Sequence, residues 1–245
     1  MYDLHSHLLP GIDDGAVDLT AALQMARQAV KCGVTHMVCT PHIHIGRFDN
    51  DLSSIDNALQ LFKAGLAEQG IPLTVAAAAE VRICAAIIPL VKKRLLPSLG
   101  CYNGKEVLLV EFPSDEIPHG SMNLIDWLLS QGYLPMIAHP ERNRAFIREP
   151  KLLDQFLKKG CLAQLTASAL TGNFGVKVKE TAIRFLMEGK VSIMASDAHN
   201  LKYRPPVFGE AIEYARTLIG NEGVHQLLYT MPKAISDCKF QTESA

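Results

Sequence analysis

The sequence predicts an α/β fold built on a parallel sheet. Short β-branched runs alternate along the chain with longer segments whose apolar residues recur every 3.6 positions. Several helical segments stop at a glycine, at Gly33, Gly70, Gly132 and Gly189, as helices commonly do. No low-complexity stretch or linker interrupts the rhythm, so residues 1–245 read as one domain. Strands alternating with helices are joined by right-handed crossovers and lie parallel.

The elements follow in order. "YDLHSH" is the first strand. A helix is expected over 17–33, with Leu19, Ala22, Leu23, Ala26, Ala29 and Val30 on one face. Strand two spans 34–42, a helix 52–70, and strand three the alanine-rich 73–81. Strand four covers 106–112 and is followed by a helix over 122–132. Strand five covers 134–140, before helical text at 152–159. Strand six covers 161–168, with a helix over 178–189, and strand seven 191–199. Helical text resumes over 207–219 and 222–228, and the tail from Met231 reads as a frayed end or a partner contact. Seven parallel strands can close into a barrel or remain an open, doubly wound sheet. The chain has no G-x-G-x-x-G after a strand and no G-x-x-x-x-G-K-[ST], so dinucleotide and P-loop readings lack support.

Bulk properties narrow the function. With 24 basic and 25 acidic residues the net charge is −1, which argues against a general nucleic-acid binder or a polybasic membrane surface. No apolar run approaches the roughly 18 residues of a spanning helix, and no secretory leader is recognisable, so the expected location is cytoplasmic. The six cysteines form no C-x-x-C pair and are expected to be buried or semi-buried thiols. Oligomeric state is not legible.

The strand ends carry the chemistry. Strand one ends in His5 and His7, strand two in His42, strand three in Glu80, strand four in Glu111, strand five in His139, and strand seven in Asp197 and His199. The C-terminal ends of parallel barrel strands open on one face, where active sites sit. Any one of these residues has a bland explanation, since a lone strand-end histidine is usually just hydrogen-bonded. Their joint placement does not. Adding Asp14, from "DDG", gives nine candidate ligands. A zinc-like ion takes about four, so nine with bridging carboxylates suit two or three ions. Mixed imidazole and carboxylate ligation fits Mn, Fe or Zn better than Ca or Mg. Arg142 in "HPER" and Arg204 in "HNLKYR" follow the same mouth and suit a phosphate. Asp13, His44 and Arg47 are weaker candidates, with Arg47 on a loop that could act as a lid.

The segments "DLHSHLLPGIDDG", "TPHIH", "AAAE", "LVEF", "AHPER" and "SDAHN" resemble the polymerase-and-histidinol-phosphatase (PHP) superfamily. The resemblance is greatest to its bacterial branch of manganese-dependent protein-tyrosine phosphatases linked to capsule and exopolysaccharide synthesis. It runs from Asp3 to about Arg204. It implies a distorted (β/α)7 barrel with a trinuclear Mn2+ centre, with Fe, Zn or Mg as alternatives. By motif, His5, His7 and Asp197 would hold the first metal. Glu80 would bridge to a second, held by Glu111 and His139. Asp14, His42 and His199 would hold the third, and Arg142 and Arg204 would contact phosphate. The implied substrate is phosphotyrosine on a membrane-associated tyrosine autokinase that controls polysaccharide export.

A count of the cysteines agrees by exclusion. Thiol-dependent tyrosine phosphatases need an arginine six positions after the nucleophilic cysteine, and none of Cys32, Cys39, Cys84, Cys101, Cys161 or Cys238 has one. The expected chemistry is therefore in-line attack on phosphorus by metal-activated hydroxide. Three rivals remain. A histidinol-phosphate phosphatase would share the metals and differ in its pocket. An amidohydrolase-type barrel would usually supply a strand-end lysine, which is missing here. A metal-binding scaffold without turnover would keep the same ligands.

Overall fold

A computed structural model describes residues 1–241. Thr242 to Ala245, part of the tail expected to fray, lie outside the described residues. The strands are β1 Tyr2–Asp3, β2 His36–Cys39, β3 His42–His44, β4 Phe48–Asp49, β5 Thr74–Ala77, β6 Glu80–Arg82, β7 Cys101–Tyr102, β8 Lys105–Glu111, β9 Tyr133–Ala138, β10 Leu162–Thr166 and β11 Ile193–Ala195. The helices are α1 Leu19–Lys31, α2 Leu52–Glu68, α3 Ile88–Lys92, α4 Ser121–Ser130, α5 Arg144–Arg148, α6 Lys151–Lys158, α7 Ala167–Leu170, α8 Val176–Met187, α9 Gly209–His225 and α10 Met231–Phe240.

Seven parallel positions form a distorted barrel. One ladder joins β1, β2 and β5, and a second runs β11-β10-β9-β8-β6-β3. The two ladders meet because strands two and three are each broken in the middle. Strand two breaks at Thr40 and Pro41, where proline has no N–H to give to a ladder. Strand three breaks at Ala78 and Ala79, and the Ala78 amide still donates to the Cys39 carbonyl at 2.8 Å. The last strand returns to the first through a parallel bridge between Ser6 and Ala198. There the Asp197 amide donates to His5 O and the His7 amide to Ala198 O, both at 2.8 Å. Outside this ring, β4 and β7 pair antiparallel with β3 and β8.

The two-residue period of each strand separates two cores. Val107 and Leu109 of β8 point inward with Val38, Ala76, Ala78, Met136, Ala138 and Ile193, while Leu108 and Val110 face the helices. Helix starts are fixed by side chains: Asp18 accepts from the Ala21 amide, and Asp51 and Ser54 form a reciprocal capping box at α2.

The segment read as a tail is instead helical. Its Ile235 is fully buried in the inner core, against Leu99 at the floor of the barrel. A Cβ on Gly100 would lie 2.0 Å from the Ile235 carbonyl, so that approach requires glycine. The two helices expected over 207–228 merge into α9, kinked at Gly220 (φ 72°). No helix among the described residues is long and apolar enough to cross a membrane.

Candidate metal centre

The inward rows of side chains change character at the top of the barrel. Continuing the period from Val107 and Leu109 reaches Glu111; from Ala76 and Ala78 it reaches Glu80; from Val38 and Thr40 it reaches His42; from Ile193 and Ala195 it reaches Asp197. The layer above the apolar interior is thus made of carboxylates and imidazoles. His139 follows β9 and breaks its parity, because it takes the left-handed region at φ 32°. Asp197 is left-handed too, at φ 52°. Non-glycine residues there carry local strain of about 1–3 kcal/mol each, typical of functional sites.

All nine sequence-predicted candidates meet in this layer. Among the described residues, four groups have ligand atoms within 4.8 Å of one another: His7, Asp14, His42 and His199; His5, His7 and Glu80; His5, His139 and Asp197; and His42, Glu80 and Glu111. Glu111 therefore groups with His42, and His139 with His5 and Asp197. Glu80 is the hub. Its Oε2 lies 3.4 Å from His5 Nε2, 3.3 Å from His7 Nε2 and 3.1 Å from His42 Nδ1, and its Oε1 lies 2.8 Å from His139 Nε2. Asp14 alone is well exposed, at 44%, and lies 3.4 Å from His42 and 3.5 Å from His199.

Arg142 and Arg204 converge from different loops on one atom, Asp197 Oδ2; the Arg204 contact is 2.5 Å. Arg142 also stacks over Phe174, 4.6 Å from its ring centroid. A cleft of about 270 Å3 opens beside them, lined by Glu111, His139, Arg142, Ser114, Arg144 and Phe174.

The electrostatics show how much charge is packed here. Burial opposes ionisation of Asp197, yet His5, Arg142 and Arg204 hold it well below the usual carboxylate range. Glu80 is likewise held far down against burial by its histidine partners. Glu111 is pushed up to about 7 by burial and by the charge of Glu80. Burial disfavours the His42 imidazolium, but Asp14 and Glu80 raise it to about 9. Burial, with Arg142 beside it, lowers His139 to about 4, and burial with the charge of His7 does the same for His199.

The residues present fit bound cations. Asp197 Oδ1, His42 Nδ1 and His199 Nε2 are buried without a hydrogen-bond partner, which is costly unless something else satisfies them. The donors are nitrogen and oxygen with no thiolate, a set suited to Mn, Fe or Zn.

Several contributors were poorly legible in the sequence. Asp13 is buried: His7 Nδ1–H donates to its Oδ2 at 2.7 Å, and the amides of Gly15 and His42 donate to the same carboxylate. Arg82, two positions after Glu80, pairs with Glu111 at 2.8 Å. Gln164 lies 2.9 Å from His5 Nδ1 and accepts from the His139 amide at 3.1 Å. The period from Leu162 points Gln164 inward, and that was the available signal. Arg47 is not in the cluster; it stacks over Phe48, whose ring in turn stacks on His42.

Residues 1–237 match the family described as capsular polysaccharide synthesis, CpsB/CapC. The chain belongs to this family. It is 36% identical over 222 residues to the tyrosine-protein phosphatase YwqE of Bacillus subtilis, covering 91% of this chain and 86% of that protein. It is 35% identical over 205 residues to a putative tyrosine-protein phosphatase, CapC, of Staphylococcus aureus, covering 84% and 79%. A solved structure superposes with a TM-score of 0.88 at 33% identity, covering 100% of this chain and 96% of the other. It comes from work on YwqE from Bacillus subtilis and CpsB from Streptococcus pneumoniae, described as unique metal-dependent tyrosine phosphatases.

Proposed function

We propose that this CpsB/CapC-family protein is a metal-dependent phosphatase acting on phosphotyrosine in protein. The observation that carries the reading is the convergence of nine nitrogen and oxygen ligands beside two arginines that reach one point. His5, His7 and Asp197 would hold one ion, and Glu80 and Glu111 a second; His139, the third ligand the resemblance implies there, lies 2.8 Å from Glu80 but outside the His42, Glu80 and Glu111 group. Asp14, His42 and His199 would hold a third, with Mn2+ the proposed metal. Bound cations would supply Lewis acidity and lower the pKa of water from 15.7 to about 7.

The protein's own groups do the rest. Arg142 and Arg204 would take the phosphoryl oxygens and neutralise charge as it shifts in the transition state. Asp13 holds His7 with its Nε2 turned inward. The cleft beside Phe174 gives the substrate a route to the centre. A tyrosyl oxygen has a pKa near 10, so it leaves with less protonation than an alkoxide. The proposed partner is a membrane-associated tyrosine autokinase, the location cytoplasmic, and the chain a single catalytic domain.

The test is to strip metals with chelator, restore Mn2+, and assay p-nitrophenyl phosphate, a phosphotyrosyl peptide and histidinol phosphate. Activity on the peptide that returns with Mn2+ and is lost in His42→Ala is the expected result. A large preference for histidinol phosphate would move the substrate to a small phosphomonoester. No turnover with any metal would leave a binding scaffold.

A further inference from the structure

Six of the seven parallel positions end in a carboxylate or imidazole of the centre, and β10 does not. Its inward side chain at that level is Gln164, which is fully buried. We propose that Gln164 is a positioning residue of the metal centre, setting the tautomer of His5 and the turn at His139 through one oxygen. This rests on the reading of the cluster as a metal site.

The orientation of the amide follows from its neighbours. The main-chain N–H of His139 can only donate, so the Gln164 atom facing it at 3.1 Å is the oxygen, not the NH2 group. The same oxygen lies 2.9 Å from His5 Nδ1. A carbonyl oxygen cannot donate, so Nδ1 must carry the proton. A neutral His5 therefore presents its lone pair at Nε2. That atom faces Glu80 Oε2 at 3.4 Å and Asp197 Oδ1 at 3.3 Å. The second hydrogen bond pins the amide that enters the left-handed turn at His139, whose Nε2 faces Glu80 Oε1 at 2.8 Å. One side chain thus fixes two candidate ligands from two separate strands.

Packing does not account for a glutamine here. Its ladder partners are Ala138 and Ile193, and Leu162 precedes it on the same face, so leucine would suit the surroundings. The Gln164 NH2 group is buried without a partner, a cost that leucine would remove. The oxygen is the part that the site uses. Outer partners of this kind typically change metal affinity 10–100-fold.

The experiment compares the wild-type protein, Gln164→Leu and Gln164→Glu. Mn2+ affinity is measured by chelator competition, and histidine tautomers by 15N NMR on protein loaded with diamagnetic Zn2+. Gln164→Leu should bind Mn2+ about 10–100-fold more weakly. Its melting temperature in chelator should fall, because the His139 N–H and the His5 Nδ1–H lose their acceptor; the His5 tautomer is the readout that a merely structural role would not move. Gln164→Glu, which keeps the accepting oxygen, should stay within a few-fold of wild type. The Zn2+-loaded wild type should show His5 protonated at Nδ1. Wild-type Mn2+ affinity in folded Gln164→Leu, or an Nε2–H tautomer of His5, would overturn the inference. If Gln164→Leu does not fold, the wild-type spectrum decides alone. Wild type that binds neither cation would overturn the metal reading, and this inference with it.

Discussion

Gly15 offers the most direct test of how the first loop holds the centre. A Cβ built there would lie 2.1 Å from the His7 carbonyl oxygen, 2.5 Å from His7 Cβ and 2.9 Å from its carbonyl carbon. Ordinary contact begins near 3.4 Å, so Gly15→Ala requires the loop or the strand end to move by more than about 1 Å. Neither can move alone. The Gly15 amide donates to Asp13 at 2.9 Å, and Asp13 in turn holds the His7 ring at 2.7 Å and the His42 amide at 3.1 Å. The displacement therefore reaches His7, Asp14 and His42 together. Misplacement by about 1 Å can cost on the order of 100-fold in rate, and overpacking a buried contact costs about 1–3 kcal/mol. Gly15→Ala should therefore fold with a lowered melting temperature and lose about 100-fold in kcat/KM on a phosphotyrosyl peptide. Its Mn2+ affinity should fall in parallel. A variant with wild-type kinetics and metal affinity would refute the claim that this close approach sets the ligand geometry.

Other predictions test separate parts of the centre. Asp13→Ala should weaken Mn2+ binding about 10–100-fold by freeing the His7 ring, read by chelator competition. Arg142→Lys and Arg204→Lys should each lower kcat/KM by about 100- to 1,000-fold, because lysine cannot offer two parallel donors to a phosphate, with a smaller fall in Mn2+ affinity because both arginines also contact Asp197. Metal binding should release protons: against burial, Asp14 and Glu80 raise His42 to about 9 in the metal-free protein, so it is an imidazolium at pH 7 and must lose that proton to ligate. Apparent affinity should then rise with pH up to about 9, and calorimetry in two buffers of different ionisation enthalpy should show unequal heats. Mn2+ at 100 times its Kd should stabilise the fold by about 2.7 kcal/mol, visible as a rise in melting temperature that chelator reverses.

The sequence made the ligands legible because two periodicities agreed. Strand-like runs located the barrel positions, and the residue closing each run fell at the same level of the wall, so Glu80, Glu111 and Asp197 could be placed without coordinates. Less legible was whatever depended on tertiary approach. Asp13 sits beside a candidate ligand in a turn-rich stretch, and only the fold shows its carboxylate buried against His7. Helix α10 has no long apolar stripe of its own, and its position depends on Ile235 closing the barrel floor beside Gly100. The breaks in strands two and three were also hidden. Pro41 was in plain view, but the exchange of ladders around it arises from how neighbouring strands continue. His139 was expected at a strand end, yet its left-handed backbone breaks the two-residue period of β9, and histidine, though enriched in that region over most residues, seldom adopts it.

The arrangement explains why so unfavourable a layer is tolerated. Buried like charges, unpartnered polar atoms and two strained backbones would destabilise an isolated loop. Here they sit on the top layer of a wall whose lower layers are apolar and fully buried, at Val107, Leu109, Met136 and Ile193. The same strands carry both, so the hydrophobic interior fixes backbone positions that the polar layer could not fix for itself. The ring is also closed at the site: the bridge from Ser6 to Ala198 lies between His5 and His7 on one strand and between Asp197 and His199 on the other. Opening that bridge would separate His5 and His7 from Asp197 and His199. Barrel closure and assembly of the candidate centre are therefore the same structural event, and cations bound by the assembled residues would stabilise the closed ring by linkage.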